Sequence, residues 1–129
     1  RGDTDARRTP AWESCRVARI DDYGFGRIIV DGHEERSDVI ILPARTVTNW
    51  WRHRSHELVL DDLQGVLAEL PEHLVIGTGA EGRMRTDPSM LSRLRAAGVD
   101  VEVLPTFDAV RRYRELDPRH AAAALHLTC

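Results

Sequence analysis

The last four residues of the sequence, His126-Leu127-Thr128-Cys129, put an imidazole, a hydroxyl and a thiol into one short stretch. A thiol beside an imidazole suits nucleophilic catalysis, because the base takes the proton that makes the sulfur inert. On an extended strand, positions three apart point to opposite faces. His126 and Cys129 therefore meet only if the chain turns at Thr128. His56 is a third candidate for acid–base work. No Gly-x-Ser-x-Gly elbow offers a serine in their place.

A second candidate site is the run Gly77-Thr78-Gly79-Ala80-Glu81-Gly82, which spells GxGxxG, with Glu102 following in the same half. A dinucleotide site needs the helix to open inside the glycine run, so that its N-terminus meets the pyrophosphate. Here the next helix cap is Asp87, which brings negative charge to that N-terminus. The motif therefore fails its own mechanical test, and no cofactor is expected. A smaller role survives it. Thr78, Gly79 and Arg83 form a candidate anion loop at the carboxyl end of a strand. His53 and His56 could begin a metal site, but no third ligand is spaced to join them, so no metal is expected. Trp50, Trp51 and Arg52 are candidates for a partner-binding patch, with one tryptophan expected inside and one outside.

Composition narrows the class. The chain has 129 residues, 42% apolar and 30% charged, which suits one soluble domain. A flexible arm is expected over 1–15 and a single domain over 16–129. No apolar run approaches the roughly 18 residues of a membrane span. All 18 basic residues are arginine, and they are interspersed with 21 acids for a net charge of −3. That mixture argues against a nucleic-acid interface. The arginine bias fits a GC-rich bacterial genome. Cys15 and Cys129 do not make a disulfide framework, so a reducing cytoplasm is the expected compartment. Self-association is left open.

Local patterns then place the elements. Short strands are predicted over Arg16–Ile20, Arg27–Val30 and Arg36–Leu42, with Asp21–Gly26 a turn and Asp31-Gly32 closing a hairpin. A helix is predicted over 62–70, capped by Asp61 and stopped by Pro71. His73–Gly77 lacks alternation and reads as a central strand; Val99–Leu104 alternates and reads as an edge. Helices start at Asp87-Pro88 and at a Thr106 cap, and Ala121–Leu127 is the last strand. The order is a β-rich first half, then βαβαβ.

Collinear segments complete the picture: Tyr23-Gly24-Phe25-Gly26, Asp38 to Pro43, Trp50-Trp51-Arg52, His56, Pro71 to Gly79, Leu104-Pro105-Thr106 and His126 to Cys129. Together they resemble the Mth938-like domain family, a domain of unknown function, over residues 17–129. The resemblance implies a three-layer α/β fold around a central mixed sheet. Relatives of that family include a mitochondrial complex I assembly factor and an adipogenesis-associated protein, which implies a non-catalytic binding or assembly module. The alternative is a cofactor-independent enzyme that uses a pocket near Gly77–Gly79. The unknown partner is then a protein or a small anion.

Overall fold

The computed structural model describes residues 18–54 and 56–129. The expected arm, Trp12, Cys15 and the first two residues of the Arg16–Ile20 strand lie outside them. Strands β1 (Ile20–Gly24), β2 (Arg27–Val30) and β3 (His33–Glu35) form a three-stranded antiparallel sheet. The stretch expected to be a turn is thus mostly strand, and the turn is confined to Phe25-Gly26. Gly26 supplies the positive φ of 75° that it requires.

Asp31-Gly32 does close a hairpin, but its partner strand is His33–Glu35 rather than Arg36–Leu42. The chain breaks at Ser37-Asp38 and enters a different sheet as β4 (Val39–Ile41). The wholly apolar run explains this: β4 is buried on both faces, whereas the charged β3 needs water.

The central sheet has the order β5-β4-β10-β7-β9, with β5 at Thr46–Val47, β7 at His73–Thr78, β9 at Asp100–Leu104 and β10 at Ala121–His126. β10 runs parallel to β7 and antiparallel to β4, so the sheet is mixed. β7 is central and β9 is an edge, as their patterns predict. Helices α1 (Pro88–Ala96) and α2 (Thr106–Glu115) make the connections on either side of β9.

Strand parity divides the core in two. Ile40, Leu42, Leu74, Ile76, Ala122 and Ala124 face one side, where α1 and the 60–70 segment pack. Val39, Ile41, Val75, Ala121, Ala123 and Leu125 face the other, under α2 and the three-stranded sheet. Three layers result. Every residue of β10 is buried, and its alanines let both outer layers approach closely.

Two expectations need correction. The segment 62–70 is not an α-helix but two 3-10 turns, Leu60–Leu63 and Leu67–Glu69. Gly65 costs about 1 kcal/mol in a helix interior. The Asp62 carboxylate also leaves the helical pattern, accepting hydrogen bonds from the backbone of His53 (3.1 Å) and Val59 (3.0 Å). Further on, Thr106 does not cap α2; Pro105 stands at the cap, and the Thr106 side chain is used elsewhere. Asp87 caps α1 as expected, accepting from Ser89 N.

Candidate functional site

The glycine loop after β7 is a socket for the chain's own last residues. The Thr78 hydroxyl donates to the Leu104 carbonyl at 3.0 Å. Gly79 N donates to Thr106 Oγ1 at 2.7 Å, and that hydroxyl donates to the His126 carbonyl at 2.6 Å. Ala80 N and Arg83 N point at the carbonyls of Thr128 (3.3 Å) and Cys129 (3.4 Å). A Cβ on Gly79 would stand 2.4 Å from the Thr128 oxygen, at a φ of +107°. Thr78 and Gly79 therefore spend their polar groups inside the fold and are not available to an anion as the motif suggests. The loop needs glycine because backbone passes against backbone. Arg83 remains exposed at its rim.

His126 closes β10 and is 4% exposed. Its Nδ1 lies 2.8 Å from Asp38 Oδ2. Asp38 also accepts from Leu127 N (2.8 Å) and from Arg52 NH1 (2.7 Å). Burial pushes the Asp38 carboxyl up, but the hydrogen bonds from His126, Leu127 N and Arg52 outweigh it and hold the group below its ordinary value. An ionised Asp38 can only accept, so Nδ1 of His126 carries a proton. Arg52 NH2, 3.1 Å from the same nitrogen, is then an electrostatic neighbour of the ring. Nε2 is buried and has no hydrogen-bond partner among the described residues.

The chain turns after His126. Leu127 O accepts from Gly26 N (2.9 Å), and Cys129 takes a φ of +44°. This turn brings the Cys129 thiol back to the imidazole. His56 joins them from the other side. Its carbonyl accepts from Arg85 N at 2.8 Å, where β6 (Glu57–Leu58) pairs with β8 (Arg85–Thr86). One side-chain donor atom each of His56, His126 and Cys129 lies within 4.8 Å of the others. The two imidazoles meet edge to face at 6.3 Å between centroids.

His56 and Cys129 open onto a cleft of about 710 Å³ that is also lined by Arg54, Glu57, Arg83 and Arg85. Two of its arginines already meet acids, Arg54 with Glu57 (3.3 Å) and Arg83 with Glu81 (2.8 Å). With Glu57 and Glu81 both counted, three guanidinium groups meet two carboxylates, a surplus of one positive charge. His56, Cys129 and Arg83, singled out from the sequence, thus come together, with His126 buried beside them.

Trp50, Trp51 and Arg52 do not form one surface. Trp50 is 8% exposed and donates from Nε1 to the Asp62 carbonyl (3.0 Å). The Arg52 guanidinium, 7% exposed as a residue, sits 5.0 Å from the Trp50 ring centroid. Both belong to the interior, because Arg52 neutralises Asp38. Trp51 is 74% exposed, so one tryptophan is in and one out. Asp38 is the residue that sequence reasoning missed as part of the site. Its only local signal is a lone acid directly ahead of the buried run Val39 to Leu42.

Fold and site together define a mixed-sheet α/β domain with a histidine–cysteine cluster at the mouth of an arginine-lined cleft. Residues 20–126 match the family described as "Protein of unknown function (DUF498/DUF598)", and the chain belongs to that family. Among solved structures it is similar to the conserved hypothetical protein PH1505 from Pyrococcus horikoshii OT3, at 26% identity and a TM-score of 0.73, over 86% of this chain and 99% of that one. It is similar to MT938 at 28% identity and a TM-score of 0.66, over 87% and 99%. It is also similar to a Mth938-like domain protein from Bordetella pertussis, at 25% identity and a TM-score of 0.68, over 93% and 90%. The Mth938-like fold inferred from the collinear segments is the fold observed. Among the described residues no helix is long and apolar enough to cross a membrane.

Proposed function

We propose that this domain binds a small anionic molecule in the arginine-lined cleft and presents it to Cys129, His56 and His126. The carrying observation is convergence: residues far apart in sequence bring three guanidinium groups, an imidazole and a thiol to one opening. Guanidinium forks match carboxylate and phosphate geometry, and a cleft wall focuses their field. Asp38 holds the His126 ring through Nδ1, as a base is held by its orienting acid. Backbone-resolved NMR titration with inorganic phosphate and with malonate tests this. Shifts should cluster on Arg54, Arg83, Arg85 and Cys129. The double variant Arg83→Ala/Arg85→Ala should bind at least about tenfold more weakly, the loss of roughly 1.4 kcal/mol. Scattered shifts, or an unchanged double variant, would refute the reading.

A second reading rests on Trp51. A tryptophan 74% exposed on a small domain is an anchor of the kind that dominates protein contacts. On this reading the domain is a binding or assembly module. A partner recovered with the native chain and lost with Trp51→Ala supports it. Equal recovery by both removes it.

A further inference from the structure

We propose that His56, His126 and Cys129 form a binding site for a zinc-class divalent cation, with the fourth coordination position open to the cleft. The proposal takes from the anion-binding reading only the occupant of that fourth position; the three protein ligands stand without it.

Two imidazole nitrogens and one thiolate, with no carboxylate among them, select borderline or soft metals and disfavour magnesium and calcium. Zinc takes mixed histidine and cysteine ligands, and where it binds exchangeable ligands three protein ligands leave the fourth position open.

The three donor atoms lie within 4.8 Å of one another. Zinc bonds of about 2.0 Å to nitrogen and about 2.3 Å to sulfur set two nitrogens and one sulfur roughly 3.3–3.6 Å apart in a tetrahedron. Closing that gap requires up to about 1.5 Å of movement. His56 is exposed and Cys129 half-buried, so both side chains have room to make it.

His126 Nε2 is buried with no hydrogen-bond partner among the described residues, which is costly for a polar atom. Its other nitrogen is held by Asp38 at 2.8 Å. A carboxylate on one ring nitrogen fixes the tautomer and leaves the lone pair on the other, which is how metal-ligating histidines are oriented. Asp38 is itself anchored by Arg52 and Leu127 N. The ring is therefore aimed before any ion arrives. Guanidinium groups of Arg54, Arg83 and Arg85 line the opening on the other side, so the open position favours an anion.

The test uses the full chain, kept reduced and stripped with a chelator, then titrated with Co²⁺ alone and with Zn²⁺ in competition. One Co²⁺ per chain should give thiolate-to-cobalt charge-transfer absorption and tetrahedral ligand-field bands, both erased by Zn²⁺. Cys129→Ser should abolish the charge-transfer band. Asp38→Asn should weaken zinc binding by about 10–100-fold, and His56→Ala by more. Circular dichroism of the His56 and Cys129 variants checks that they fold. No charge-transfer absorption in the native chain, its persistence in Cys129→Ser, or native affinity in His56→Ala each overturns the proposal. Arg83→Ala/Arg85→Ala should keep the thiolate-to-cobalt charge-transfer band while weakening anion binding, so the two readings fail separately.

Discussion

Replacing Asp38 by alanine tests the frame that holds the site. The carboxylate receives three hydrogen bonds, from Arg52, His126 and Leu127 N, all at 2.7–2.8 Å. The side chains of Arg52 and Asp38 are 4% and 14% exposed, so their pairing is not screened as a surface pair is. Removing one partner of such a buried pair costs about 3–5 kcal/mol, mostly because the remaining charge loses its neutralising partner in a dry environment. That is a large part of the roughly 5–15 kcal/mol that holds a domain together. At about 4 °C per kcal/mol for a chain of this size, Tm should fall by about 12–20 °C. Thermal unfolding at neutral pH measures the Tm, and urea-induced unfolding measures the free energy. The cause is isolated by adding Arg52→Met, which removes the stranded charge. The double variant should be more stable than the sum of the single losses by about 1–3 kcal/mol. A loss under about 1 kcal/mol for Asp38→Ala, or additivity within about 0.5 kcal/mol, would refute the reasoning.

Gly79→Ala should destabilise by about 2 kcal/mol, since it adds strain at positive φ and drives a Cβ into the Thr128 carbonyl; alkylation kinetics should show Cys129 displaced and more exposed. Glu102 is pushed up by burial, but His73 and Arg112 outweigh this and hold it below its ordinary value of 4.5. Its stabilising contribution is therefore present above 4.5 and lost as pH falls through the lower folded value. Urea midpoints of the native chain and Glu102→Gln should differ at neutral pH and converge in acid. Trp50→Ala should cost about 3–5 kcal/mol and Trp51→Ala less than about 0.5 kcal/mol in the same assay, with equal losses contradicting the assigned burial.

Much of the scaffold was legible because its signals are local. Leu74-Val75-Ile76 lacks alternation and lies between two strands; Asp100–Leu104 alternates and lies at the edge. Asp87-Pro88 starts α1 where cap chemistry says it should. The 62–70 segment misled because its apolar stripe satisfies a helical period, while Gly65 and the Asp62 side chain satisfy something else. The sheet change at Ser37-Asp38 was hidden because β-propensity does not say which sheet a strand joins.

The site divides along the same line. By themselves, the residues identified His56, His126, Cys129 and Arg83 as chemically able, since side-chain type decides what a group can donate, accept or attack. The spacing also posed the right condition, that His126 and Cys129 meet only through a turn. Whether that turn forms depends on Thr106 and Gly26, which hold the His126 and Leu127 carbonyls, and on the loop at Gly79, where the Ala80 and Arg83 amides meet the carbonyls of Thr128 and Cys129. The role of Asp38 depends on β4 lying beside β10, a pairing across 88 positions. Only tertiary structure could turn the glycine run from an anion cradle into a socket for the chain's own backbone. Hydrogen-bonding capacity is written in the sequence; which partner uses it is settled by packing, because each buried donor and acceptor can be spent only where the fold brings a partner within reach.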